Sequence, residues 1–258
     1  MIKRELYMNR IRPFIGGELI KVMTGIRRSG KSVMLELIKE ELAEAGVAPS
    51  QMISINFEDM RYSHLQTATA LHDEIIKRVE GIEGKAYLFF DEIQEVEGWE
   101  KCVNSLRVAL DCDIYITGSN AKLLSGELAT YIGGRYVEFV IYPFSFAEFL
   151  ELYHTIAPSD SIQQCFQKYL LAGGMPYLAN LRYEEEPSRQ YLTDLFNSVQ
   201  LKDIVKRNKI RDIDLLERII AYMTANVGTV FSASSLAKFF KNEQRTVAAE
   251  TILNYVRY

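Results

Sequence analysis

Gly25-Ile26-Arg27-Arg28-Ser29-Gly30-Lys31-Ser32 is the stretch that decides the fold. It meets the pattern G-x-x-x-x-G-K-[ST] at every fixed position. A phosphate needs backbone N–H groups converging on its oxygens, and side chains at the turns would block them; Gly25 and Gly30 leave those turns clear. The helix that starts near Lys31 aims its partial positive charge at the anion. Lys31 adds a mobile cation for the β- and γ-phosphates, and Ser32 a hydroxyl ligand for Mg²⁺. The context agrees with the motif. Leu19 to Thr24 is apolar and reads as a strand, and Lys31 to Ala45 reads as a helix stopped at Gly46. The expected phosphate-binding stretch is Gly25, Ile26, Arg27, Arg28, Ser29, Gly30, Lys31, Ser32 and Val33.

Further along, Tyr87-Leu88-Phe89-Phe90-Asp91-Glu92 places two carboxylates behind a run of four apolar residues. A strand of that kind is buried, and its acids emerge at the C-terminal edge, where open α/β sheets bind ligands. Asp91 is expected to hold Mg²⁺ through its water shell, and Glu92 to orient and polarise the water that attacks the γ-phosphate. The third piece is Ile114 to Thr117, at the end of another short strand, which leads into Gly118-Ser119-Asn120. A polar residue at that tip can touch both γ-phosphate and water, which nominates Asn120 or Ser119; a plain Ser/Asn helix cap is the competing explanation. Small-molecule kinases share the glycine loop without needing the second acid, so the Asp-Glu pair favours hydrolysis over transfer to an acceptor.

Strand and helix patterns alternate through the first half, the signature of a parallel sheet covered on both faces. Strands are expected at Met52–Phe57, Ala86–Phe90, Asp113–Thr117 and Tyr136–Ile141, with helices through Leu71–Val79, Trp99–Leu110 and Leu123–Ala129. After Pro143 helices take over, at 145–153, 161–172, 187–206 and 214–226, interrupted most strongly by Gly173-Gly174-Met175-Pro176. Residues 214–258 then read as three helices, the last running from Gln244 to Tyr258.

Composition narrows the function. The 258 residues are 48% hydrophobic and 25% charged, with 30 basic against 34 acidic side chains and a net charge of −4. Such a chain is globular and does not grip nucleic acid along its whole face. No apolar run reaches membrane-spanning length, and the charged N-terminus is unlike a signal peptide. Cys102, Cys112 and Cys165 lack metal-ligand spacing and read as buried thiols in a reducing cytoplasm. Residues 200–258 carry ten basic and six acidic side chains, against an acidic remainder. Their winged-helix-like pattern leaves two partners open: DNA, with Lys241, Arg245 and Arg257 near the groove, or a docked protein.

With these residues in view, the chain resembles a prokaryotic family of AAA-type P-loop ATPases related to the STAND branch, in which an ATPase core precedes a helical region and a C-terminal domain of unknown function. The resemblance rests on GIRRSGKS, ISINFEDMR, YLFFDEIQEVEGWE, YITGSNAKLLSGEL, GGRYVEFVIYPFSFAEFL and LAGGMPYL. It implies an α/β P-loop NTPase fold of the ASCE/AAA type, a three-layer parallel sheet core followed by a helical lid and a winged-helix-like region. It makes Glu92 the catalytic glutamate and Asp91 the Walker B aspartate. Arg135 falls where such proteins often place an arginine finger, acting in trans from a neighbouring subunit of a homo-oligomer; pairing with an acid at a strand start is the alternative. Gly174 and Pro176 look like the Gly-x-Pro element that lies against the nucleotide base in STAND-type relatives. No clear sensor-2 arginine follows, which favours a nucleotide-controlled switch over a processive ring motor.

The expected division is an ATPase core over 1–143, a lid over 144–209 and a winged-helix-like segment over 210–258, the last cut short because relatives continue further. The expected activity is Mg²⁺-dependent ATP hydrolysis in the cytoplasm; the alternative is an ATP-sensing regulator of DNA or protein with negligible turnover.

Overall fold

From Ile20 to Thr117 strands and helices alternate in the computed structural model, which describes residues 2–118, 132–199, 204, 205, 208, 210–242 and 245–257. Five strands, β1 (Ile20–Thr24), β2 (Met52–Asn56), β3 (Ala86–Asp91), β4 (Cys112–Thr117) and β5 (Tyr136–Val140), form one sheet in the order β2-β3-β4-β1-β5. Every pairing is parallel. Parallel neighbours require crossovers, and the helices that supply them cover both faces. This is the α/β P-loop architecture the sequence implies.

Alternation along each strand sends side chains to opposite layers. Leu88, Phe90, Ile114 and Ile116 pack with Leu71 and Ile75 of α3 (Ala68–Val79) and with Trp99, Val103 and Leu106 of α4 (Trp99–Ala109). Met23, Phe89 and Tyr115 face the other way, toward Met34, Leu35 and Ile38 of α2 (Lys31–Glu44) and Tyr7, Met8 and Ile11 of α1 (Glu5–Ile11). Full burial of each such side chain contributes about 1.5–3 kcal/mol. Within this layer the Phe89 and Tyr115 rings stack with centroids 4.8 Å apart. Helix α1 is not foreseen in the sequence, where its charges mask the apolar triplet Tyr7, Met8 and Ile11.

Lys21 is the second residue of the fully buried strand β1 and has no exposed surface. Its ammonium pairs with the equally buried Asp113 of β4 and donates to the Gly17 carbonyl at 3.1 Å. Asp113 also accepts from Gly16 N at 2.6 Å and Tyr115 OH at 2.7 Å. The buried charge is thus offset by an opposite charge and a carbonyl acceptor, with the Tyr115 ring 5.1 Å away.

Beyond β5 the described elements are helical: α5 (Phe146–Tyr153), α6 (Ile162–Ala172), α7 (Glu185–Ser198), α8 (Ile213–Ala225), α9 (Ala233–Asn242) and α10 (Ala249–Arg257). Two compact units emerge, Met1–Ser188 and Arg189–Tyr258. The segment 144–188 therefore groups with the sheet. In the second unit Leu215, Ile219, Leu236, Phe240 and Ile252 form a small core joining α8, α9 and α10. Helix α10 starts later than its apolar pattern suggests, because residues 245–248 adopt no regular structure. Among the described residues this unit contributes helices and no strand. The helix expected over 123–129 lies outside the described residues. No helix among the described residues is long and apolar enough to cross a membrane.

Candidate functional site

The register puts the polar ends of the strands side by side. Asn56 of β2 pairs with Asp91 of β3, and Met23 of β1 with Thr117 of β4, all at the C-terminal edge. The loop 25–30 leaves β1 at this edge and turns into α2 at Lys31. Gly25 has φ +145°, and a Cβ there would lie 2.2 Å from the Ile141 carbonyl oxygen, so only glycine lets the loop close against the end of β5.

The loop and the acids meet. Lys31, 5% exposed, directs its ammonium to the carbonyls of Gly25 at 3.2 Å and Ile26 at 3.3 Å, with Glu92 Oε1 at 3.7 Å. Strand β4 lies between β1 and β3, so these side chains bridge a gap of about 10 Å, two strand spacings. Ser32 and Val33 are exposed at the first turn of α2, and Ser29 is fully buried with its hydroxyl lacking a hydrogen-bond partner. Ile26 and Arg28 are exposed at the loop's outer side, Arg27 is half-buried, and Arg28 adopts φ +65°.

Asp91 and Glu92 are joined through a residue that the sequence alone did not single out. Thr117 Oγ1 donates to Asp91 Oδ1 and accepts from Glu92 N at 3.0 Å. Asn56 Nδ2 donates to the other Asp91 oxygen at 3.2 Å. Glu92 itself sits at φ 55°, ψ 46°, a left-handed conformation that costs a non-glycine residue about 1–2 kcal/mol. The signal for Thr117 was present: a hydroxyl in the last buried position of the strand beside the acids. Ser119 and Asn120, the two candidates named for that role, lie outside the described residues.

Gly174 and Pro176 reach the same neighbourhood by a backbone route. A Cβ on Gly174 would lie 2.1 Å from the Phe144 carbonyl oxygen, and Phe144 N donates to Gly174 O at 2.7 Å. Phe144 follows Ile141, whose carbonyl touches Gly25, so one short segment contacts both the loop and the Gly-x-Pro turn. Pro176 opens that turn, with Met175 and Leu178 buried on either side.

Arg135 stands apart. It immediately precedes Tyr136, which pairs with Ile20 at the N-terminal edge of the sheet. The strand length between that row and Gly25 is about 17 Å at 3.3 Å per residue. Its guanidinium is exposed and donates to Asn104 Oδ1 at 3.1 Å. Arg135 is thus not assembled with Lys31 and Glu92 within this chain.

The loop suits a triphosphate and the oxygen donors suit a hard cation. A cradle that a Cβ would fill, a buried lysine and a buried unpartnered Ser29 hydroxyl fit the first; the Ser32 hydroxyl and the Asp91 carboxylate fit Mg²⁺. The cysteines take no part: all three are buried and free, and burial pushes the Cys102 thiol up to about 12 and that of Cys112 to about 11.

The family model of an AAA domain matches residues 18–150, and a domain of unknown function, DUF8612, matches residues 163–258. A protein of Haemophilus influenzae is 38% identical over 257 residues, covering 99% of this chain and 64% of that protein. One of Methanocaldococcus jannaschii is 32% identical over 251 residues, covering 93% of this chain and 54% of that protein. Both are named only as uncharacterized proteins, and the chain spans little more than half to just under two thirds of their lengths. Among solved structures, the Aeropyrum pernix Orc1 protein in complex with DNA aligns over 98% of this chain and 82% of that one, at 14% identity and a TM-score of 0.43. A RuvB variant of Thermotoga maritima aligns over 96% and 82%, at 14% identity and a TM-score of 0.46. The AAA domain covers more than half of the residues and holds both the glycine loop and the acidic pair: the chain belongs to the AAA-type P-loop ATPases, its core continued by a C-terminal domain of unknown function.

Proposed function

We propose that this chain binds Mg²⁺–ATP at the C-terminal edge of the sheet and hydrolyses it, using the nucleotide as a switch for the helical segments that follow. The observation that carries this reading is the 3.7 Å approach of Lys31 Nζ to Glu92 Oε1 across an intervening strand, which brings a phosphate ligand and a water-activating acid to one point. Lys31 would leave the Gly25 and Ile26 carbonyls for the β- and γ-phosphate oxygens, while loop N–H groups hold the chain of phosphates. Its departure frees Glu92 to orient and polarise the attacking water. Thr117 and Asn56 hold Asp91 still, and Asp91 with Ser32 would take the metal. Bound Mg²⁺ would supply neutralisation of the charge that builds on the phosphate oxygens. The Gly174–Pro176 turn is placed in this reading against the base.

For the second unit, docking of a protein is favoured over contact with DNA. Arg245, one of three basic residues suited to a groove, is bonded to Asp212 and Asp214 at the start of α8. Weak, strongly salt-dependent binding of a labelled duplex is expected; tight sequence-selective binding at 0.15 M salt would reverse the choice.

Calorimetry with Mg²⁺ and ATP, paired with phosphate release, tests the main reading. Lys31→Ala should remove most of the affinity, and Glu92→Gln should keep binding while arresting turnover. Wild-type turnover in Glu92→Gln would overturn the assigned role, and absence of any turnover in the wild type, with nucleotide bound, would favour the sensing regulator.

A further inference from the structure

Arg4 is 3% exposed although it lies at the edge of the chain's first helix, and it adopts φ 47°, ψ 48°, an unfavourable conformation for a residue with a side chain. Its guanidinium joins three separate segments. Nη1 donates to the Ser29 carbonyl in the phosphate loop at 2.9 Å, and Nη2 to the Tyr142 carbonyl beyond β5 at 2.8 Å. Nε donates to Glu148 Oε1 in α5 at 2.8 Å, and Nη2 reaches Glu148 Oε2 at 3.4 Å. The rings of Tyr7 and Phe144 flank it, 4.7 Å and 5.1 Å from the guanidinium carbon. Glu148 is itself held by Ser145 N at 2.8 Å in the capping box that starts α5.

Resting on the nucleotide reading above, we propose that Arg4 is a positioning residue of the phosphate site, orienting the loop through Ser29 and tying its state to helix α5 through Glu148. The peptide between Ser29 and Gly30 is planar and trans, so its carbonyl and its N–H point in opposite directions. Holding the Ser29 oxygen from behind therefore aims the Gly30 N–H, a donor of the glycine loop, and polarises it toward an anion. Phosphate binding that shifts this peptide shifts the acceptor of Arg4. The guanidinium is rigid and its other acceptors belong to Tyr142 and Glu148, so the displacement is felt at the first turn of α5. Lysine offers one ammonium and cannot hold three segments with a fixed fork.

Hydrogen exchange of the whole chain with and without Mg²⁺–ATP tests the proposal, alongside calorimetric affinity. In the wild type, nucleotide should raise protection over both 25–33 and 146–153. In Arg4→Lys the affinity should fall roughly 5–150-fold, the span of ordinary coupling between sites, and at saturating ATP protection should rise over 25–33 alone. Glu148→Gln preserves size and an acceptor for Ser145, and should weaken the response at 146–153 with a smaller change in affinity; it carries the same readout should Arg4→Lys not fold. A purely structural role would lower the melting temperature of both variants and leave the nucleotide response of α5 as in the wild type, overturning the proposal. Wild-type protection confined to 25–33 overturns it too, with the nucleotide reading intact. No protection at 25–33 and no heat of binding would overturn both.

Discussion

At the scale of single residues, one hydroxyl organises the acidic pair. Thr117 satisfies an Asp91 oxygen and the Glu92 amide at once, at the point where the Glu92 backbone turns left-handed. Thr117→Val conserves shape but leaves these polar groups unpaired, a loss of about 1–3 kcal/mol that a urea titration would register as an earlier midpoint. Phosphate release should fall in the same variant while ATP affinity changes little, and Thr117→Ser should recover both properties. Equal midpoints for the valine variant and the wild type would dissociate Thr117 from the acids. Lys21 teaches a related lesson: a lysine inside an apolar strand is tolerable only because Asp113 waits on the neighbouring strand.

At the scale of elements, the segment from Ile141 to Glu148 connects strand, loop and helix. Gly174 approaches Phe144 backbone to backbone, with no flexible side chain to give way. Gly174→Ala should therefore cost about 1–3 kcal/mol through overpacking, seen as a lowered melting temperature. Weakened ATP affinity in that variant, at temperatures where it is folded, would support placing the Gly-x-Pro turn at the base. The start of α5 also predicts a pH dependence. Burial opposes the charge on Glu148, but hydrogen bonds from Arg4 and Ser145 outweigh it and hold the carboxyl below its ordinary value of 4.5. A depressed carboxyl stabilises the fold above the unfolded value, and that contribution is lost as pH falls through the folded one. The melting temperature of wild type should accordingly drop below about pH 4.5 more steeply than that of Glu148→Gln, the two curves converging in acid. Parallel curves would show that the Glu148 pair does not govern acid stability.

For the whole molecule, the position of Arg135 sets a condition on assembly. It sits at the opposite edge of the sheet from Lys31, too far to reach a phosphate bound in its own chain. An arginine finger at this position would have to come from a second copy. In that case hydrolysis per chain should rise with protein concentration, and Arg135→Ala should abolish the rise while leaving ATP affinity as it was. A finger in trans accelerates hydrolysis by about a thousand-fold or more, so the effect would be plain. A rate per chain that stays flat over the concentration range would leave Arg135 as the surface partner of Asn104.

The sequence by itself determined the class of fold and located the glycine loop and the acidic pair, because each is local: a glycine pattern between an apolar strand and a helix, and two acids ending an apolar run. It also delivered most elements to within a residue or two, since periodicity is a short-range property. Helix α1, the Thr117 bridge, the Asn56 contact and the Arg4 hub were decided only by tertiary structure. Each depends on partners far away in the chain, such as Arg4 with Glu148 or Asn56 with Asp91, that come together only when strand order and register place them. The separation of Arg135 from the loop has the same cause: being near a strand in sequence does not say which end of the sheet a residue occupies, and the parallel register does.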